Sequence, residues 1–545
     1  MGYGIFSMRR RGRSAVALAV LALMGTTLTA APAPAAAPGA DSRPAILLNG
    51  NWPGWQKDVL GTRFNPAEKK ITQSTVGNLK LKWAFVFPDI DGANGSQPAV
   101  VDGVLYVGSR DSKFYALDAV TGATKWVFDR TPIAGPSDVN NPNPSRSGPA
   151  VSGNLVVFGD NRGYLYALNK ETGALVWQRR LSDHPATVVT SSSLIFNGKV
   201  YVGVSSSEEQ YAANDQYPCC TFRGQLVSLD LNTGAVVWRH YTMPPAVQVG
   251  TTPDGVARYE SSGAAVWGSP VIEPISRTVY FATGNNYTGA GGDGDTVVAV
   301  NADTGALRWK QQMTESDSWT VGCLLPTPKP NCEGLEDGTN LDYDFGATPN
   351  IFYANNRLLV GIGQKSGIYH TFDARTGQVV WQQQLSIPQP NGGKSGIQWG
   401  SSYDGRRLYV ATWEANPGTL FALNPATGAI QWTTPNPSNG CSTGGAVAFP
   451  DNCHLAHISA VTTTPGLVYE GSADGKFRVY NSNTGAVLWS YDTVRTFTGV
   501  NGETGSGGSV SGNGGAVVAN GMVYVQSGYY NFYGIPGRVL LAFGL

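Results

Sequence analysis

Apolar and polar residues alternate along most of this chain in short runs. In VLYVGSRDSKFYALD and in LVVFGDNRGYLYALN, two short apolar runs flank a polar, turn-forming break. Runs of that length bounded by turn residues read as short strands of a hairpin. No stretch carries the 3.6-residue apolar period of a long amphipathic helix.

Each such hairpin leads into a pattern that recurs. ALDAVTGATKW closes at Trp126, ALNKETGALVW at Trp177, SLDLNTGAVVW at Trp238 and AVNADTGALRW at Trp309. TFDARTGQVVW closes at Trp381, ALNPATGAIQW at Trp432 and VYNSNTGAVLW at Trp489. The opening residues alternate as a strand does, Thr-Gly supplies a turn with a permissive backbone, and the closing tryptophan is large enough to pack between neighbouring sheets. Four strands per unit make a propeller blade. The chain also opens with LKLKWAF, a tryptophan strand (Trp83) without its partner, and closes with GRVLLAFGL, the partner without its tryptophan. Joined, they make an eighth blade and leave no exposed sheet edge. The fold expected is all-β: an eight-bladed β-propeller with tryptophan-docking repeats, closed by pairing of N- and C-terminal strands. The longest intervals between closing tryptophans lie between Trp177 and Trp381, so functional loops are expected there.

Arg9, Arg10, Arg11 and Arg13, an apolar run from Ala15 to Leu28 and the stretch TAAPAPAAAPGA read as a secretory signal peptide, too short and wrongly flanked to span a membrane. Residues 1–37 are assigned to it and 38–545 to one propeller, exported to the periplasm or the exterior. With 38 basic and 38 acidic residues the chain has no net field to attract nucleic acid or an anionic membrane, and neither partner is expected. Six cysteines in an exported chain permit disulfides. Cys323 with Cys332 and Cys441 with Cys453 would each close a short loop. Cys219 and Cys220 are adjacent. No pair has zinc spacing, and no CxxCH for covalent haem is present.

The repeat, together with the opening segment NWPGWQKDVLGTRFNP, resembles the pyrroloquinoline-quinone (PQQ)-dependent quinoprotein dehydrogenases, and PCCTFRGQLVSLDLNTG is most similar to the polyvinyl-alcohol dehydrogenases among them. The resemblance implies PQQ and Ca²⁺ as cofactors, an alcohol as substrate, and a separate cytochrome c or similar electron acceptor. A tricarboxylate quinone needs a hard cation on oxygen ligands, a base for the alcohol proton, donors for its oxygens and flat surfaces beside its ring. By family register, Glu208 in VSSSEEQ and Asn285 in ATGNNYTG are metal ligands. Asp344 in LDYDFGATP is the base and a further ligand, and Lys365 in GQKSG stands against the quinone oxygens. Trp267, outside the repeat motif, is the stacking platform. Arg162 in DNRG, Thr190 and Ser205 hold carboxylates, and a Cys219–Cys220 ring either reaches the cofactor or braces a loop over the mouth. Within the acid pair, Tyr343-Asp344-Phe345-Gly346-Ala347 reproduces the family's aromatic–acid–aromatic–small–small order. Asp342 is then not the base, and a small residue, Gly346, follows two places after Asp344, as in calcium-dependent members. A non-enzymatic propeller scaffold for cell-surface assembly or adhesion explains the repeat equally well, but not these residues in family order.

Overall fold

The computed structural model describes residues 50–88, 96–135, 143–289, 291–325, 331–333, 341–388, 396–413, 417–510, 512, 514–529 and 534–545. The chain divides into two compact units, Met1–Pro44 and Ala45–Leu545, and every described residue belongs to the second. The signal peptide assigned to residues 1–37 lies outside the described residues. Among these no helix is long and apolar enough to cross a membrane.

Eight antiparallel sheets form the blades of a β-propeller. Blade 1 is Ala99–Val101, Val104–Gly108, Lys113–Asp118 and Thr124–Asp129. Blade 2 runs from Ala150–Ser152 to Leu175–Arg180, blade 3 from Leu194–Phe196 to Val236–Tyr241, and blade 4 from Val271–Glu273 to Leu307–Gln312. Blade 5 runs from Asn350–Ala354 to Val379–Gln384, blade 6 from Ser402–Tyr403 to Ile430–Pro435, and blade 7 from Thr462–Thr464 to Val487–Asp492. Blade 8 takes Val517–Ala519, Met522–Ser527 and Val539–Gly544 from the C-terminus and Lys80–Val86 from the N-terminal side. The last two pair antiparallel from Lys80 opposite Gly544 to Val86 opposite Val539.

The repeat motif has a definite mechanical role. In each copy the Asp or Asn side chain accepts backbone N–H groups of the turn, as Asp230 Oδ1 does from Asn232 (3.0 Å) and Thr233 (2.9 Å). The closing tryptophan then reaches across to the next blade. Its indole N–H donates to the carbonyl of the residue after that Asp or Asn: Trp177 to Leu231 at 2.8 Å, Trp238 to Ala302 at 3.1 Å, Trp309 to Ala374 at 2.9 Å. Trp489 completes the circle on Leu79, just before the strand Lys80–Val86, at 3.2 Å. The motif glycine serves this contact as well as the turn. At Gly122, Gly173, Gly234, Gly305, Gly377, Gly428 and Gly485 a Cβ would come within 2.5 to 2.8 Å of the neighbouring tryptophan ring.

The segment ahead of blade 8 forms a belt around the channel, bonding to the first strands of blades in chain order. Trp52 and Val100 exchange hydrogen bonds (2.7 and 2.8 Å), and the carbonyls of Pro53, Val59, Leu60 and Thr62 accept from Val151, Ile272, Ile351 and Tyr403 at 2.7 to 2.9 Å. Arg63 and Thr463 follow, and Asn65 Nδ2 donates to Val518 of blade 8 at 2.7 Å. Arg63, fully buried, lies 4.3 Å from the centroid of the Trp55 ring and donates to the carbonyls of Trp55 and Val461.

Replacing Gly305 by Ala should lower the unfolding free energy by about 1–3 kcal/mol, because the methyl meets Trp238 in a left-handed backbone. Gly77→Ala, where a Cβ meets nothing within 4 Å, should be neutral in the same thermal unfolding measurement.

Candidate active site

The channel holds a cavity of about 570 Å³ floored in part by Trp55 of the belt. Two sets of turn positions, both at the same end of the antiparallel inner strands, supply much of its wall. Four residues before the first strand of blades 2 to 7 stand Arg146, Thr190, Trp267, Gly346, Gln398 and Ile458, and all six line it. Two residues beyond the second strand of blades 1, 2, 4, 5, 6 and 8 stand Arg110, Asn161, Gly284, Lys365, Trp413 and Tyr529, which line it too.

Of the residues named from sequence, Thr190, Ser205, Trp267, Asn285, Asp344 and Lys365 meet at this cavity. Asp344 Oδ1 accepts the backbone N–H of Asn285 at 2.6 Å, and Asp344 Oδ2 pairs with Lys365 Nζ. The same ammonium donates to Asp342 Oδ1 at 2.6 Å and lies 5.6 Å from the centroid of the Trp267 ring. The carboxamide N–H groups of Asn285 go to the carbonyls of Asn286 (2.6 Å) and Trp319 (2.8 Å), so its oxygen is the group left for a ligand. At Gly284 any side chain would strike Asp344, so the backbone there can approach the carboxylate only as glycine.

Burial pushes both aspartates upward, and their partners separate them. Asp342, with Lys365 as its cation and Asp344's negative charge beside it, stays well above the usual carboxylate range. Asp344 has Lys365, Asp342 and the Asn285 N–H as stabilising neighbours, and falls below it. The shared lysine and the Asn285 N–H thus favour the proton on Asp342 and the negative charge on Asp344. Burial lowers the pKa of Lys365, but the two carboxylates outweigh it and hold the ammonium charged. Glu209, also on the cavity wall, is pushed up to about 7, by burial first and then by the charge on Asp344.

Four sequence assignments fall elsewhere. Glu208 is fully buried away from the cavity, where its carboxylate accepts from Tyr217 Oη (3.1 Å) and the N–H groups of Thr221 (2.9 Å) and Phe222 (2.8 Å). Its neighbour Glu209 faces the cavity instead. Both open the short helix Glu208–Tyr211, where one residue is a turn of about 100° and a strand register cannot choose between them. Arg162 is one residue past the lining position of its turn: Asn161 lines the cavity, while Arg162 bonds to the carbonyl of Ala134. The guanidinium groups on the wall are Arg146 and Arg110. Arg146 was legible, since SRSGPAV places it three residues before proline as VWGSPVI places Trp267. Cys219 and Cys220 are bonded to each other, but they are buried in the apolar cluster that backs Tyr287 and Trp267 rather than on the cavity wall. Cys323–Cys332 and Cys441–Cys453 are also bonded, with Cα atoms 5.0 and 5.7 Å apart.

Residues 52–323 match the family model described as glucose/ethanol/alcohol dehydrogenase, β-propeller domain, and 364–539 match that of outer membrane protein assembly factor BamB. A polyvinylalcohol dehydrogenase of a Pseudomonas species is 33% identical over 91% of this chain and 77% of its own. One from a Sphingopyxis species is 32% identical over 94% and 79%. Among solved structures, the quinohemoprotein alcohol dehydrogenase ADHIIG of Pseudomonas putida superimposes with a TM-score of 0.63 at 22% identity, covering 91% of this chain and 80% of that one. With two relatives above 30% identity over most of their length, and the fold and cavity in agreement, this chain belongs to the PQQ-dependent quinoprotein alcohol dehydrogenases, oxidoreductases that act on alcohols.

Proposed function

We propose that the protein oxidises alcohol hydroxyls with PQQ and Ca²⁺, that its substrate is polyvinyl alcohol or another secondary alcohol, and that electrons leave to a separate cytochrome c or similar acceptor. Export, read from the N-terminal pattern, goes with this reading. The observation that carries it is the meeting of Asp344, Lys365, Asn285, Glu209 and Trp267 on one cavity wall.

The donor set fits the cofactors. Among the described residues no three His, Cys, Asp or Glu side chains form a metal cluster by themselves. Glu209, the Asn285 carboxamide oxygen and Asp344 instead offer a partial oxygen shell, which suits a calcium ion completed by ligand oxygens. Arg146 has its Nε without a hydrogen-bond partner, and Asn161 its side-chain oxygen. Buried polar atoms in that state call for a bound polar group, and Arg146 with Arg110 suits carboxylates. Thr190 and Ser205 add hydroxyls, and the Trp267 ring offers a flat face. Bound there, PQQ supplies the two-electron acceptor for the carbinol hydrogen, polarised by the calcium ion.

The protein's own groups handle the proton. Asp344, kept ionised by Lys365 and the Asn285 N–H, accepts the hydroxyl proton. Lys365 stays charged beside it and offsets negative charge that develops on the reacting oxygens. Asp342, already neutral, keeps the ammonium in place without competing for the substrate proton.

Purified protein given PQQ and Ca²⁺ should reduce an artificial dye in the presence of a secondary alcohol. A scaffold, the alternative suggested by the BamB-like half, predicts no PQQ binding at all. Asp342→Asn, an isostere of the neutral acid, should keep most turnover and stability. Asp344→Asn should abolish turnover, and Ca²⁺ should serve as well as La³⁺. Loss on changing Asp342 alone, or activity with La³⁺ alone, would overturn the assignment.

A pH dependence follows from Glu209. Its raised pKa means that the neutral carboxyl favours the folded state fully below the ordinary glutamate range, and that this contribution is lost as pH rises through about 7. Calcium binds the ionised form and replaces what is lost. The rise in Tm on adding Ca²⁺ should therefore be larger at pH 8 than at pH 5.5, and Glu209→Gln should remove the difference.

A further inference from the structure

Between the last strand of blade 4 and the first of blade 5 the chain makes a long excursion outside the repeat. Its first part is firmly anchored. Trp319 N–H donates to the Asn286 carbonyl at 2.9 Å, and the Trp319 carbonyl accepts from Asn285 Nδ2 at 2.8 Å. Cys323–Cys332 staples the excursion, Thr320 Oγ1 donates to the Asn331 carbonyl at 2.8 Å, and Asn331 Nδ2 reaches the carbonyls of Ala212, Asn214 and Tyr217 just after the helix that carries Glu209.

This excursion puts Trp319, Val321 and Leu324 on the cavity wall. Trp319 is 7% exposed, and its indole N–H has no hydrogen-bond partner. A buried donor in that state is costly unless a ligand supplies the acceptor. The arginines suited to cofactor carboxylates come from blades 1 and 2, whereas Trp319 is joined to the base through Asn285, which donates to both the Trp319 carbonyl and Asp344. An acceptor on the substrate would satisfy this N–H from the side of the base. With the reacting hydroxyl engaged by Asp344, a second hydroxyl on the same chain would supply that acceptor. Val321 and Leu324 beside it suit methylene groups rather than water, and Leu324, 54% exposed, extends that surface outward.

We propose that Trp319, with Val321 and Leu324, is a specificity-determining wall that binds the hydroxyl and methylene groups adjacent to the reacting carbinol, so that the site prefers a 1,3-polyol chain over an isolated alcohol. This rests on the alcohol-oxidising reading above.

Trp319→Phe keeps the ring and removes only the N–H. In protein loaded with PQQ and Ca²⁺, it should lower kcat/KM about ten-fold for 2,4-pentanediol and for polyvinyl alcohol, chiefly through KM, and leave 2-butanol within about two-fold. Leu324→Ser, at an exposed position, should leave the thermal transition unchanged and weaken polyvinyl alcohol alone. If Trp319→Phe changes diol and mono-alcohol equally, or changes neither, the wall does not select the substrate. If the unmodified protein oxidises neither alcohol, the alcohol-oxidising reading fails and the wall's role falls with it; oxidation of both with no diol preference overturns the wall alone.

Discussion

Closure of the ring is the constraint on which everything else depends. A propeller blade has two faces to bury, and only a complete circle gives every blade a neighbour on both. Here the circle closes when Lys80–Val86 pairs with Val539–Gly544, joining chain segments that are remote in sequence. The belt between Trp52 and Asn65 ties the first strands of the blades to one another from within the channel. Outside, each tryptophan fixes its blade to the next through one hydrogen bond, and all but Trp489 add a ring-on-glycine contact. Inner strands held at a common radius present their flanking turns to a common axis. That is why single residues from six or more blades can meet around one cavity.

The second constraint is charge. Two aspartates and a lysine lie almost wholly buried, where an unpaired charge is expensive. One cation between two carboxylates is balanced when one of them is neutral, and the Asn285 N–H is a donor that only one of them has. It reaches Asp344 and not Asp342, so the anion settles on Asp344. A backbone donor from blade 4 thereby adds to Lys365 in favouring the charged form of a side chain from the approach to blade 5. The absence of a side chain at Gly284 allows this, because the donor stands in the residue after it.

Much of this architecture is legible in the sequence, because the repeat carries it. Seven copies of the closing motif and two half-copies at the ends specify the blades and their closure. The site is legible where it follows blade register, as at Trp267, Thr190 and Lys365. Arg162 shows the limit of motif matching without that register: Asn161 occupies the inward position, and the next residue must point elsewhere. At Glu208 and Glu209 the backbone leaves the strand for a helical turn, and the period of two that separates inside from outside no longer applies. Trp319 gave no signal of its own, since it lies outside the repeat motif, and the tertiary anchors through Asn285 and Asn331 bring it to the cavity.

A frame of eight similar units has no intrinsic reason to place different chemistry on different sides, so the asymmetry must come from side chains at equivalent positions. The turns of blades 1 and 2 contribute Arg110, Arg146 and Asn161, groups that suit anions. Blades 3 to 5 contribute Glu209, Asn285, Asp344 and Lys365, the groups that bind a cation and move a proton. Blades 6 to 8 contribute Trp413, Ile458 and Tyr529, which are largely apolar. A flat anionic ligand entering this cavity meets cations on one side, a cation-binding carboxylate set beside it and aromatic surface opposite, so its orientation is limited before any chemistry begins. The same turns filled throughout with small or apolar residues would leave the ring intact and the cavity without direction. The fold therefore supplies the radius and the register, while the order of residues around the ring supplies the reaction.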